Sequence, residues 1–396
     1  MPTKKISFEH RVIDDNPAGS ENDVTLIADV NGNGLNDIII GGKYGPGDGR
    51  PVADGNLVWY EAPHWNRHVI GFGKLEAGGV TMDLTGNGRL DLVIGEQYDG
   101  KCLYWWENPA DPKQRWTRRL ITDSFQKYHD QAVGDVDGDG VDELVVISQV
   151  ARTLLYYDIP EDPTVEPWPE SCRNIIATDV ELEGLRVVDI DGDGVNEIVA
   201  GANYFKREGN TWRQVALIEP FAAARAEVAD LNGNGHLDIV LAEGESYPGR
   251  LLWCEGPEFT KVHVLHESLC HPHSLEVADF NQSGSLDIFT GEMHLNKNPA
   301  PKLYIYLNDG DGNFEPMEID CPQGTHEAKV GDIDASGRPS IVGKPYMPHC
   351  QIDIWMNVTE WQDAFTPKVR ETQQWLQTSG WAFRATVSEP SQHWAT

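Results

Sequence analysis

One ten-residue phrase recurs seven times along this chain of 396 residues. It reads ADVNGNGLND at 28–37, MDLTGNGRLD at 82–91, GDVDGDGVDE at 134–143, VDIDGDGVNE at 188–197, ADLNGNGHLD at 229–238, ADFNQSGSLD at 278–287 and, most altered, GDIDASGRPS at 331–340. The leading aspartates are Asp29, Asp83, Asp135, Asp189, Asp230, Asp279 and Asp332, at steps of 54, 52, 54, 41, 49 and 53 residues. Self-similarity at a period near fifty marks a repeat architecture, in which each unit is one supersecondary element that cannot bury its apolar face alone. It overrides the division into two or three domains that length alone would suggest.

Oxygen side chains stand at positions 1, 3, 5 and 9 of the phrase, with glycines between them that let the chain curl and bring alternate side chains inward. The sets are Asp29, Asn31, Asn33 and Asp37; Asp83, Thr85, Asn87 and Asp91; Asp135, Asp137, Asp139 and Glu143; Asp189, Asp191, Asp193 and Glu197; Asp230, Asn232, Asn234 and Asp238; Asp279, Asn281, Ser283 and Asp287; and Asp332, Asp334 and Ser336, where Ser340 takes the ninth place behind Pro339. Hard oxygen ligands at this spacing suit Ca²⁺, which accepts six to eight oxygens in flexible geometry. The alternative is an Asx-rich turn that binds nothing, and recurrence argues against it. The third and fourth copies, with four acids each, are expected to bind tightest. The first, second, fifth and sixth should be weaker and the seventh weak or empty.

Short β-rich runs flank each phrase, VTLIADV before and DIIIGG after in the first copy, LEVADF and DIFTGE in the sixth. A third run follows in most copies (LVWYEAP, CLYWWENP, LLYYDIP, LLWCEGP, LYIYLND, IDIWMN), and a fourth reads WNRHVI, WTRRLI or FTKVHVL. Such runs bounded by Gly are strands, and four strands per period make a propeller blade. The pattern resembles the FG-GAP/VCBS repeats of integrin α-chain propellers and many bacterial proteins over residues 5–357. That resemblance implies an all-β, seven-bladed propeller with Ca²⁺ in its hairpin turns, although a fold does not name an activity. In the fourth copy only TWRQVALIEP follows EIVAGANY, so its outer strands are expected to be incomplete. FEHRVI at 8–13 has the fourth-strand pattern but precedes the first phrase, so residues 5–14 should cross over, complete blade seven and remove a free sheet edge. The propeller thus spans 1–357. Residues 358–396 form a C-terminal extension, whose WQDAF and ETQQWLQ segments are expected as short helices on the rim.

The formal net charge is −32, from 63 acids and 31 bases. Seven bound Ca²⁺ would still leave the surface acidic, which argues against nucleic acid and anionic membranes as partners. There is no transmembrane stretch. The six cysteines (102, 172, 254, 270, 321, 350) show no CxxC and no scaffold spacing, and read as buried free thiols. Residues 1–10 carry no apolar signal-peptide core. The expected location is cytoplasmic if Met1 is the native start, or secreted with a signal already removed; Asn357-Val358-Thr359 is a lone sequon. The oligomeric state is left open.

The repeat also places residues in space. If the turns join the first and second strands on one face, the start of each first strand and the end of each second strand meet on the other. Six residues before each leading Asp stand Asp23, Ala77, His129, Glu183, Ala224, His273 and His326, a ring at the mouth of the central channel. Seven residues after the last ligand stand Tyr44, Tyr98, Val150, Tyr204, Glu245 and His294, with Tyr346 one residue out of step and Tyr247 close by. Lys43, Gln97, Asn203, Arg225, Glu292 and Lys344 adjoin these rings. A concave polar–aromatic cup is the default ligand site, and Tyr faces beside hydroxyl-matching groups suit a sugar or glycan. His129, His273 and His326 are candidates for acid/base roles or for holding a transition metal such as Zn²⁺ or Mn²⁺. His294, Tyr98 and Tyr204 are candidate proton donors. Lys43, Arg225 and Lys344 would meet a carboxylate or enolate, with Tyr44, Gln97, Glu183, Tyr247 and Tyr346 lining the cup. Such a set suits proton abstraction α to a sugar carbonyl or carboxylate, followed by β-elimination. Residues 105–121 (WWENPADPKQRWTRRLI), leading to YHDQAVGD at 128–135, resemble blade linkers in the propeller half of aldos-2-ulose dehydratase. That resemblance implies sugar dehydration, although the cupin half of that enzyme has no counterpart here. The chain thus reads as a carbohydrate lyase or dehydratase, or alternatively as a carbohydrate-binding propeller without catalysis.

Overall fold

In the computed structural model, residues 6–44, 55–221, 224–295, 300–321, 323–346 and 351–360 are described. They form seven four-stranded antiparallel sheets. Each of the first six blades is a run of four consecutive strands, as in blade three: Tyr128–Gly134, Glu143–Ser148, Thr153–Tyr157 and Arg173–Thr178. Blade seven takes three strands from the end of the chain, Lys329–Gly331, Ser340–Gly343 and Ile352–Asn357. Its fourth is Phe8–Asp14, paired antiparallel from Phe8↔Asn357 to Asp14↔Ile352. The crossover expected from FEHRVI is therefore present, and it leaves no open junction between the first and last blades.

Apolar runs in the second strands are continuous because both faces are covered. Ile38 and Ile40 pack with Val342 and Ile354 of blade seven, whereas Ile39 between them packs with Leu92 and Trp106 of blade two. The same splitting recurs around the ring. Seven buried clusters lie one at each blade–blade junction rather than within blades. Trp59, Trp105, Trp106, Trp253 and Trp355 fill these junctions.

The repeated phrase builds one turn in every blade. The leading carboxylate accepts amides from its own loop: Asn33 N–H donates to Asp29 Oδ1 at 3.0 Å and Gly34 N–H to Oδ2 at 2.8 Å. In blade seven Ser336 and Gly337 bind Asp332 in the same way. Position 6 is glycine throughout and left-handed throughout, from Gly34 at φ 87° to Gly337 at φ 75°. Position 4 is also left-handed where it is not glycine, at Gln282 (φ 50°) and Ala335 (φ 56°), so the turn geometry outlasts its usual residue.

The ninth residue ties this turn to the blade. Asp37 is fully buried; its Oδ2 accepts the Val30 amide at 3.0 Å and its Oδ1 the Ala62 amide at the end of the third strand at 2.8 Å. Asp91 holds Leu84 and Asn108, Asp238 holds Leu231 and Gly256, and Asp287 holds Phe280 and Asn308 in the same pattern. Ser340, the seventh substitute, still accepts the Asn357 amide at 3.1 Å. Buried amides left without acceptors would cost free energy, which makes this position structural whatever else it does. An asparagine then bridges to the preceding blade. Asn108 Nδ2 donates to Val30 O, Asn308 Nδ2 to Leu231 O and Asn357 Nδ2 to Phe280 O. The Asn357 side chain of the sequon is thus buried, with 1% exposed.

Blade four corrects one expectation. Its outer strands are complete, Asn203–Glu208 and Thr211–Ala216. The repeat is short because tight turns join its strands, with Gly209 at φ 65° in the outer hairpin, not because a strand is missing. Cys254, Cys270 and Cys321 are buried free thiols, as expected, while Cys102 and Cys172 are half-buried. Cys350 and the WQDAF and ETQQWLQ segments lie outside the described residues. No helix among the described residues is long and apolar enough to cross a membrane.

Asn308 is buried and donates to both Leu231 O and Leu286 O. Asn308→Ala should therefore lower unfolding stability by about 1–3 kcal/mol, the usual cost of stranding buried acceptors, measured as a shift in the chemical denaturation midpoint.

Candidate functional site at the propeller axis

The first strands of the blades carry the ring residues to the axis, and local irregularity aims three of them. The ladder slips by one residue between Asn22 and Val24, between Tyr128 and Asp130, and between Pro272 and Ser274. The residues skipped are Asp23, His129 and His273. A bulge of this kind takes a side chain out of the strict alternation of the strand. Blade two leaves room beside His129 with Gly78 at φ 83°, where a Cβ would sit 2.4 Å from the His129 carbonyl oxygen.

The expected ring does converge. His129, His273 and His326 are 4%, 1% and 5% exposed. His129 Nδ1 lies 2.7 Å from Asp130 Oδ2, and its Nε2 lies 3.9 Å from both Glu76 and Glu183. His273 Nε2 lies 2.8 Å from Glu183 Oε1, and its Nδ1 lies 3.4 Å from Glu327 Oε1. The His273 ring stacks on His326 at 4.4 Å, and Tyr346 covers His326 at 4.7 Å. His326 Nδ1 faces Asp23 Oδ1 at 3.5 Å. A column thus runs from half-buried Tyr346 through two imidazoles to a buried carboxylate.

Arg225 stands at the centre of three acids: Glu183 at 3.2 Å, Asp130 at 3.4 Å and Glu327 at 2.9 Å. Below it lies a second charged girdle. Arg186 pairs with Glu227, with Nε donating to Oε2 at 3.0 Å, and Lys329 sits 2.9 Å from Glu276 and 3.7 Å from Glu327. Between the two tiers is a cavity of about 60 Å³ lined by Asp130, Arg225, Glu327, Arg186 and Lys329, enough for a few waters but not for a sugar ring.

Protonation follows from this crowding. Burial works against a charged His129, but Asp130, Glu183 and Glu76 outweigh it and raise its pKa to about 9. Glu183 is likewise penalised by burial, yet His129, His273 and Arg225 hold it well below the usual carboxylate range. Glu276 moves the other way, up to about 7, because burial outweighs the pull of Lys329.

Other expected residues are placed elsewhere. Tyr204 falls inside the third strand of blade four and packs against Phe259 at 5.6 Å, in the junction with blade five. The second strand there ends at Ala200, so a fixed count of seven oversteps it. Lys344 is fully buried, and its ammonium donates to the His326 carbonyl at 2.6 Å, propping the ring rather than facing a ligand. Gln97 is buried at the end of the blade-two sheet. Tyr98 and Tyr247 are 67% and 61% exposed on the outer surface of the same face; Lys127 stands over Tyr98 at 5.0 Å, and His271 is near Tyr247 at 6.4 Å. His294 is half-buried just beyond the second strand of blade six. Glu292 in that strand is buried and accepts the Cys270 and Lys302 amides. Lys43 and Tyr44 end the second strand of blade one, and their side chains lie outside the described residues. Asp130, Glu327, Arg186, Glu227, Glu276 and Lys329 are not among the residues that the spacing predicts at the mouth. They lie one and three residues after the ring position, so the register rule, applied at those offsets, reaches them.

Three groups among the described residues bring ligand atoms within 4.8 Å of one another: Asp135, Asp137, Asp139 and Glu143; Asp189, Asp191 and Glu197; and Glu183, His273 and Glu327. The first two are the turns expected to be strongest. The third draws on the axis but on only one of its three histidines.

This is a seven-bladed β-propeller built on a repeated acidic turn, with a charged axial cluster. Its residues 83–146 match the FG-GAP-like repeat, the family named from the phrase itself. No curated protein matches the sequence. Among solved structures, an ancestral GH74 enzyme matches at 11% identity and TM-score 0.59, over 87% of this chain and 49% of that one. The rhamnogalacturonan lyase YesW matches at 12% identity and TM-score 0.51, over 94% and 80%. The V. cholerae biofilm matrix protein Bap1 matches at 10% identity and TM-score 0.52, over 91% and 93%. Likeness at these identities establishes the fold. Carbohydrate-active enzymes are among the proteins that share it.

The folded chain favours protonated His129, whose pKa of about 9 stands above its ordinary 6.5. Its stabilisation is complete below the ordinary value and is lost as pH rises through about 9. Melting temperature should therefore fall between pH 6.5 and pH 9.5, and fall less in His129→Gln, read by calorimetry across that range.

Proposed function

We propose that the protein is a carbohydrate-active enzyme that works by proton transfer at the axial mouth, with a glycan as substrate and β-elimination as the reaction. The observation that carries this reading is the column Tyr346–His326–His273–Glu183, with ring centroids 4.7 and 4.4 Å apart and a 2.8 Å imidazole–carboxylate contact at its foot. Titratable side chains from blades four, six and seven have no packing reason to meet there. In this reading the sugar sits above Tyr346, because the inner cavity is too small to admit it. Tyr346, its hydroxyl proton passed to His326 beneath it, takes the proton α to a carbonyl or carboxylate. His129, held as an imidazolium, favours the negative charge that develops. The electron pair released expels the β-oxygen, which leaves as an alcohol on taking back, through Tyr346, the proton that His326 carries. Tyr98, Tyr247 and Glu245 would be outer contacts.

The test is the appearance of unsaturated uronide absorbance when the protein meets uronic-acid glycans. His326→Ala and His273→Ala should each lower turnover by roughly 10²–10⁴-fold, the usual worth of a positioned acid or base. Undiminished turnover in both variants would refute the assignment. Binding without turnover would favour the second reading, a glycan-binding propeller, to which the small axial cavity of about 60 Å³ lends support.

The turns are assigned Ca²⁺ on the chemistry of their donors, since the third brings four carboxylates within 4.8 Å. A site filled at about 100 times its Kd stabilises the fold by roughly 2.7 kcal/mol. Excess EGTA should therefore lower the melting temperature markedly, and an unchanged melt would count against Ca²⁺.

A further inference from the structure

The fourth turn differs from its neighbours in what stands over it. The ladder of blade four pairs Ile198 with Phe205, which sets Lys206 across from the ninth-position Glu197. In the other blades the same rung holds Glu61, Glu107, Asp158, Glu255, Leu307 and Met356, by the pairings Ile38↔Tyr60, Leu92↔Trp106, Leu144↔Tyr157, Ile239↔Cys254, Ile288↔Tyr306 and Ile341↔Trp355. Blade four alone places a cation there, where four others place an acid. Glu61, Glu107 and Glu255 turn outward to bases on or near the fourth strand: His68 and Lys113, Arg119, and Lys261 and His263.

Lys206 turns inward. Its ammonium lies 2.8 Å from Asp193 and 3.0 Å from Glu197, and it also hydrogen-bonds to Asp191. Asp189, the remaining acid of that turn, is held by the loop amides of Gly192, Asp193 and Gly194. Positions 3, 5 and 9 thus converge on one nitrogen. In the third turn the nearest base, Arg207, donates instead to the Asp137 carbonyl, and its guanidinium reaches the Asp137 carboxylate only at 4.0 Å.

We infer that Lys206 is a tethered counter-cation that replaces the metal in the turn of blade four. The sequence of that turn ranks it among the best Ca²⁺ sites, but its charge is neutralised from within the same sheet. A divalent ion would have to expel an ammonium whose effective concentration is fixed by its own strand. Blade four would then fold without Ca²⁺, while the third turn, equal to it in acids, would depend on the ion. This inference rests on the reading of the other turns as Ca²⁺ sites, but its first consequence does not.

Lys206→Met leaves Asp191, Asp193 and Glu197 facing one another with no cation. In metal-free buffer that variant should melt several degrees lower than the parent chain, and Lys206→Arg, which keeps the charge, should not. Added Ca²⁺ should restore Lys206→Met, and titration calorimetry should count one more Ca²⁺ per chain for it than for the parent. An ion in the blade-four turn of the unaltered protein, seen by anomalous diffraction from crystals grown with Ca²⁺, would overturn the inference. So would a Lys206→Met variant with an unchanged melt and an unchanged ion count. If the parent binds no Ca²⁺ at all, the calcium reading of the turns falls, while a melt lowered by Met and kept by Arg would still support the counter-cation.

Discussion

Among the described residues, no blade has a core of its own. Each sheet is apolar on both faces, and each face is buried only by the next sheet, so stability is a property of the closed ring. Closure is therefore the constraint on which the rest depends. It is met by Phe8–Asp14 pairing with Ile352–Asn357, a contact between the two ends of the propeller. The ninth-position carboxylates and the bridging asparagines serve the same end. Asp37, Asp91, Asp238 and Asp287 lock four of the turns to their third strands, and Asn108, Asn308 and Asn357 lock blades two, six and seven each to the one before.

The closed ring has a consequence at its centre. Seven strand starts crowd one axis, and here they bring acids and bases out of water together. Buried charge is costly unless paired, and the pairing is dense: Arg225 serves Asp130, Glu183 and Glu327, while Lys329 serves Glu276 and Glu327. Well-packed apolar residues could fill such a channel with equal or greater stability. Charge retained there, with stacked imidazoles reaching toward the surface, is what separates this axis from a simple plug.

Much of this was legible in the chain. The repeated phrase gave the blade count, the turn geometry and the N-terminal crossover, because each depends on local residues at a fixed period. The ring of His129, His273 and His326 was legible for the same reason. Where strand lengths vary, the register rule failed. Tyr204 was misplaced because the second strand of blade four stops at Ala200. The position of Lys344 predicts that it faces a ligand, and nothing in its neighbours along the chain announces that its ammonium turns back to the His326 carbonyl. The same holds for Lys206. Asp191, Asp193 and Glu197 read as metal ligands until a strand that follows them swings a lysine over the turn.

The sequence by itself determined a wheel of seven sheets, with acidic turns on one face and ionisable side chains at its hub. Periodicity is a one-dimensional property, and a one-dimensional string carries it in full. Only the tertiary structure decided the partner of each charge. Arg225 meets Asp130 across 95 residues and Glu327 across 102. Bulges at Asp23, His129 and His273 turn those side chains by an amount that no spacing encodes. Pair identity depends on angstrom-scale approach between blades far apart in the chain, and that approach exists only once the ring has closed.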